Sequence, residues 1–180
     1  MARLLASIRD DQLHLPTPCP KYSLGDLVDH IVGLTGAFTA AAAKTTSADE
    51  QHPPPGDAAR LAPDWRATIP GELSALAAAW RDPEAWTGTT EAGGIELPGE
   101  IAGLVALDEL VVHGWDVAGA IGADYTAGDD ELRAVLTFID SFPPDSRGDA
   151  FGPPVDVPDD ANLLDRVIAA SGRDPSWHGP

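Results

Sequence analysis

The sequence predicts an all-α fold, a bundle of helices joined by long loops. Three observations point there. Residues 98 to 122, PGEIAGLVALDELVVHGWDVAGAIG, form a long run with no helix breaker in its middle. Residues 23 to 44 open on Ser23 with Asp26 three positions on, which resembles a capping box with Asp in place of the usual Glu. The connections are rich in Pro and Gly, and the pattern between them is helical throughout, giving up to six helices, four of them long enough for a bundle.

In chain order, residues 2 to 13 read as a short helix with Leu4, Leu5, Ile8 and Leu13 inward. Pro16, Pro18 and Pro20 then forbid regular structure. The helix from Ser23 to about Lys44 carries His30 on a face shared with Leu27, Gly33, Leu34, Ala37 and Ala41, so His30 is expected to point inward. Residues 45 to 58 are a polar linker with a stiff Pro-rich core. A third helix is expected from about Arg60 to Trp80, its first half interrupted by Pro63 and Pro70. Residues 81 to 97 should hold no helix, and Trp86, the paired Thr and Gly93-Gly94 suggest a turn or irregular hairpin that could rim a site. Pro98 suits the first turn of the central helix and Gly122 its end. A fifth helix runs from about Asp129 to Phe142, and residues 143 to 158 form a Pro/Gly-rich segment of the length that often shapes a site. A short last helix stops at Gly172.

Residues 1 to 180 fit one domain with its own core. A net charge of −18 argues against nucleic-acid and anionic-membrane partners, which need cationic surface, and favours a monomer or homodimer acting on a small molecule. A single cysteine, Cys19, excludes an intrachain disulfide and fits a reducing compartment. With neither a signal-peptide pattern nor a transmembrane-length apolar run, the expected location is cytoplasmic.

The central run is apolar nearly all round, the mark of a buried helix, and its exceptions carry the chemistry. Glu109, His113 and Asp116 are spaced four and three apart. At ~100° per residue they fall in a stripe of about 60°. Ala102, Val105, Val112 and Ala120 continue that stripe, and no Lys or Arg occurs between Arg81 and Arg133. A buried carboxylate needs a counter-charge, and a divalent metal would supply it. His30 from a neighbouring helix would complete a set of two histidines and one carboxylate, which suits zinc and also iron, nickel or manganese. The spacing alone leaves two readings open. An acid lies four residues before His14, His30, His113 and His178 alike, so Glu109 and His113 also read as a helical ion pair, and His30 as a satisfied core histidine.

Asp116 is the candidate catalytic acid, placed to orient a ligand histidine, and otherwise reads as an exposed helical acid. Trp86 and Trp115 are the candidate substrate-contacting aromatics, with core packing as the other use of Trp115. Cys19 reads as a packed side chain, because Lys21 alone is near to lower its pKa. His14, His52 and His178 are expected in solvent, and Gly93-Gly94 lacks the Lys and spacing of a phosphate loop.

Four stretches, TPCPKYSLGDLVDHIVG, LPGEIAGLVALDELVVHGWDVAGAIG, FGPPVDVPDDA and GRDPSW, occur in order along the chain. Together they resemble the actinobacterial metal-binding proteins related to the N-terminal domain of mycothiol-dependent maleylpyruvate isomerase, within the DinB-like superfamily. The resemblance implies a DinB-like four-helix bundle with extra short helices. It also implies a metal, usually zinc, held by His30, Glu109 and His113. The chain departs from the pattern in having Tyr22 where Trp is usual and Gly119 where Arg is frequent, and the isomerase's second, C-terminal domain is expected to be missing. The expectation is a metal-dependent enzyme using a thiol such as mycothiol as cosubstrate for S-transfer or isomerisation of a small electrophile. A thiol-independent cyclase, lyase or hydrolase and a non-catalytic binding bundle are the alternatives.

Overall fold

The computed structural model describes residues 1–45, 54–143, 147 and 150–179. His52, most of the polar linker, and residues 144–146 and 148–149 of the Pro/Gly-rich segment lie outside the described residues. Among the described residues six α-helices follow in order: α1 (Ala2–Ser7), α2 (Leu24–Ala43), α3 (Trp65–Ala79), α4 (Gly99–Ile121), α5 (Asp129–Asp140) and α6 (Leu163–Ala170). The strands β1 (Thr89–Ala92) and β2 (Ile95–Pro98) lie between α3 and α4. The all-α expectation holds, with α4 at the centre: α2 and α5 pack against it, α3 against α2, and α6 against α5. Among the described residues no helix is long and apolar enough to cross a membrane.

Three apolar clusters surround the middle of α4. One joins α1, α2, α3 and the end of α4 through Leu5, Leu27, Ile31, Ile69 and Val117. Another joins α4, α5 and α6 through Val111, Val135, Ile139, Phe151 and Val167. A smaller one closes the other end of α2 with Phe38, Leu76 and Ala106. The stretch of α4 left between them carries the acids and His113.

Helix α2 starts where its capping box predicts. The Asp26 N–H donates to Ser23 Oγ at 3.3 Å, while Asp26 Oδ2 accepts from the Ser23 N–H at 3.2 Å. Asp26 Oδ1 also accepts from the Ala58 N–H at 2.9 Å, and Arg60 pairs with Asp29 at 2.6 Å. The first turns of α2 are thus tied to the turn at 58–60, just before His30. The Ser23 hydroxyl also donates to Asp26 Oδ2 at 2.7 Å, and this bond, ahead of that from the Ala58 N–H, holds the Asp26 carboxyl below its usual range.

Several local expectations are corrected. Residues 2–13 are not one helix: Ile8 is extended at φ −70° and ψ 130°, and a separate 3-10 turn follows at Asp10–Gln12. The third helix begins at Trp65 rather than Arg60 and runs through Pro70, which forgoes one backbone hydrogen bond without ending it. Residues 81–97 do hold helical structure, a 3-10 turn at Pro83–Trp86, and then a regular antiparallel hairpin pairing Thr89 with Pro98 and Ala92 with Ile95. Gly93 and Gly94 turn the hairpin with φ of 60° and 77°, the positive pair a two-residue primed turn requires. Pro98 ends β2 and caps α4 instead of occupying its first turn.

Ser23→Ala removes the α2 cap and is expected to cost about 1 kcal/mol of stability. Asp26→Ala is expected to cost more, because it also frees the Ala58 N–H; urea denaturation of the two variants checks the order.

Candidate metal centre

The anchored start of α2 places His30 against the middle of α4. There His30 Nε2 lies 3.7 Å from Glu109 Oε2, and His113 Nε2 lies 3.0 Å from the same oxygen. One ligand atom from each of His30, Glu109 and His113 falls within 4.8 Å of the others. The imidazole rings stand edge to face with centroids 5.2 Å apart, and Tyr22 packs on His30 at 5.0 Å. The helical spacing explains Glu109 with His113; the packing of α2 on α4 adds His30.

Behind His113 lies a buried ion pair. Asp116 is 0% exposed and its Oδ2 is 2.8 Å from His113 Nδ1. A carboxylate only accepts, so Nδ1 carries a hydrogen; in the protonated ring Nε2 donates to Glu109, and when that proton leaves the lone pair is on Nε2, facing Glu109. Arg173 grips Asp116 from the other side, with Nη2 at 3.0 Å from Oδ2 and Nε at 3.3 Å from Oδ1. This two-pronged geometry is the stronger form of such a pair.

Arg173 reaches the site because the chain makes a close crossing just before it. Gly172 has φ 86°, and a Cβ there would sit 2.5 Å from Gly152 Cα. The two backbones touch without side chains between them, and the Gly152 N–H donates to the Ser171 carbonyl at 3.2 Å. This corrects the idea that a metal alone can balance the acidic stripe: Asp116 is balanced by an arginine 57 residues away. The donors facing Glu109 still fit a divalent ion, since two imidazoles and one carboxylate converge and Asp116 orients one of them.

Without a metal the same groups set one another's protonation states. Burial would raise the Glu109 carboxyl, but hydrogen bonds from His113 and His30 outweigh it and hold the group far below its usual range. Burial would likewise lower His113, but Asp116 and Glu109 push it up to about 9. Burial, reinforced by the Glu109 charge, pushes Asp108 up to about 7. Burial also raises the Cys19 thiol, which fits a packed side chain better than a nucleophile.

The cluster opens on a polar cavity of about 360 Å³ lined by Cys19, Lys21, Tyr22, Asp108, Phe151 and Arg173. On the other side of His30 lies an apolar cavity of about 370 Å³, walled by Leu34, Phe38, Val105 and the hairpin residues Ala92, Ile95 and Leu97. Both loops expected to shape a site therefore line a cavity, residues 150–152 the polar one and the hairpin the apolar one. The aromatic candidates lie elsewhere. Trp86, 36% exposed, stacks edge-on with Trp80 at 5.2 Å and donates from Nε1 to the Trp80 carbonyl. Trp115 lines a separate cavity with Tyr125 and Trp177 near the end of α4. The sequence reading passed over Asp108 and Arg173, although the GRDPSW motif marks the position of the latter.

From pH 3.8 to about 7 the folded chain keeps a proton on Asp108 that the unfolded chain releases, and from 6.5 to about 9 it keeps one on His113. Stability in the presence of chelator is therefore expected to fall as pH rises across both windows. Added zinc displaces the His113 proton, so its stabilising effect should be larger at pH 8.5 than at pH 6.5; melting curves at about those values check both signs. Arg173→Ala leaves Asp116 buried without its cation and is expected to cost roughly 3–5 kcal/mol in denaturant titrations.

The chain is 30% identical over 121 residues to two uncharacterized proteins of Mycobacterium tuberculosis, one from each of two strains, a match covering 67% of this chain. It spans 61% of the length of those relatives. No solved structure matches it. The pattern of the mycothiol maleylpyruvate isomerase N-terminal domain matches residues 1–118, a span that holds His30, Glu109, His113 and Asp116. With two thirds of its length matched and an all-α bundle of the DinB-like kind, the chain belongs to the mycothiol maleylpyruvate isomerase N-terminal domain family.

Proposed function

We propose that the chain is a metal-dependent enzyme that uses a low-molecular-weight thiol of the mycothiol class in S-transfer to, or isomerisation of, a small electrophile. The observation that carries this reading is the convergence of His30, Glu109 and His113 at a cavity, with His113 Nε2 aimed by the buried Asp116–Arg173 pair. A divalent ion held by those three residues, zinc foremost, would lower the pKa of a bound thiol so that the thiolate forms near neutral pH.

The protein's own groups do the rest. Asp116 keeps the His113 hydrogen on Nδ1 and so positions that ligand without touching substrate. Cys19, its thiol raised by burial, leaves the reacting sulfur to come from outside the chain. The polar cavity suits a thiol with polar substituents. The apolar cavity beyond His30 suits the carbon skeleton of the electrophile, so the two reactants would approach from opposite sides of one histidine.

Calorimetric titration of the metal-free protein with zinc tests the reading. Wild type is expected to bind about one equivalent, His113→Ala to lose it, and Asp116→Asn to bind about 10–100-fold more weakly, as loss of the carboxylate behind a ligand histidine does. A wild type that takes up no zinc sinks the metal reading. Turnover of electrophiles at full rate without added thiol sinks the thiol reading and leaves the metal.

A further inference from the structure

Asp108 stands one position before Glu109 on α4 and is 7% exposed. Its Oδ1 is buried without a hydrogen-bond partner, and no hydrogen bond or ion pair reaches its carboxyl among the described residues. Its neighbours are treated differently. Asp116 is gripped by Arg173 and His113, and Glu109 faces two imidazoles. The other buried polar atoms without a hydrogen bond belong to guanidinium groups that have partners: Arg66 Nη2 lies 2.7 Å from Asp10 Oδ1 while its Nε donates to the Ile8 carbonyl at 2.8 Å, and Arg147 Nη1 donates to the Ala170 carbonyl at 2.6 Å. Among the described residues Asp108 is the one carboxylate with a buried oxygen left unpaired.

Such a group is costly, and an apolar residue of similar size would cost less. Asp108 lies outside the trio whose ligand atoms converge, so metal binding does not account for it. It does line the polar cavity, beside Val112 and across from Phe151 and Arg173. Its Oδ1 is closed to solvent, and the small exposure the residue keeps borders the cavity, which places the carboxyl for a donor that arrives with a ligand.

We infer that Asp108 is the specificity-determining residue of the polar cavity, its carboxyl accepting a hydrogen bond from an O–H or N–H group on the molecule that fills it. The choice of thiols as probes rests on the function proposed above; the residue's role does not. A site whose buried acceptor is satisfied by the right ligand rejects the analogue that lacks the donor, because the acceptor is then left unpaired in the complex.

The test uses the full chain loaded with cobalt(II) and three thiols of similar size: 2-mercaptoethanol, with a hydroxyl; cysteamine, with an ammonium; and 1-propanethiol, with a methyl group in the same place. The thiolate-to-cobalt absorption band reports binding. Wild type is expected to prefer one or both donor-bearing thiols over 1-propanethiol by about 10–100-fold, the cost of leaving a buried acceptor unpaired. Asp108→Leu should abolish the preference while leaving 1-propanethiol binding in place, and should melt at a higher temperature than wild type when no ligand is present. Asp108→Asn separates the donors: it keeps an acceptor for the hydroxyl and loses the attraction for the ammonium.

An unchanged preference in Asp108→Leu overturns the assignment. So does a lower melting temperature or failure to fold, since Asp108 would then be supporting the structure. If wild type gives no thiolate band with any of the three, the thiol reading of function fails, and the Asp108 assignment stands or falls on the melting temperatures alone.

Discussion

Asp116 imposes the constraint on which the centre of this protein depends. Its carboxylate is removed from water altogether, and a charge in that position must be answered from within the fold. Two groups answer it, the His113 ring on its own helix and the Arg173 guanidinium from beyond α6. The first fixes which nitrogen of His113 faces the cavity. The second requires the segment after α6 to pass within reach of α4, which the bare crossing at Gly152 and Gly172 permits. Helix placement, ring orientation and the path of the C-terminal segment thus follow from one buried acid.

The helices that build the site were legible because their signals are local. Ser23 and Asp26 announce the start of α2, and an unbroken apolar run ending at Gly122 announces α4. The face shared by Glu109, His113 and Asp116 follows from helical periodicity alone. That His30 meets this face is a tertiary fact, suggested by family resemblance and seen in the packing of α2 on α4. Arg173 was not legible, since no periodicity links residues so far apart. Asp108 was not legible either: its isolation is defined by what fails to approach it, and a sequence shows no such absence. The regular hairpin was within reach, for the Gly93-Gly94 pair carries its turn signal, but four-residue strands give too little alternation to declare themselves.

The polar centre occupies ground that a more stable protein would fill with hydrocarbon. The three apolar clusters stop short of it, and between them lie an unpartnered acid, a histidine with a raised pKa and two cavities on either side of His30. Stability here is concentrated in the surrounding clusters and in the capped, tethered start of α2. Such a division is expected where a preorganised set of ligands must be held at the expense of good burial.

The match to the family pattern stops at residue 118, two residues past Asp116, whereas the cation that neutralises Asp116 is Arg173. The matched span and the span closed in charge are therefore different lengths of chain. A fragment cut at residue 118 would carry His30, Glu109, His113 and the orienting acid but strand that acid's charge in a dry interior. Grafts and domain exchanges with this protein would have to carry the crossing at Gly152 and Gly172, and the arginine after it, along with the cluster on α2 and α4.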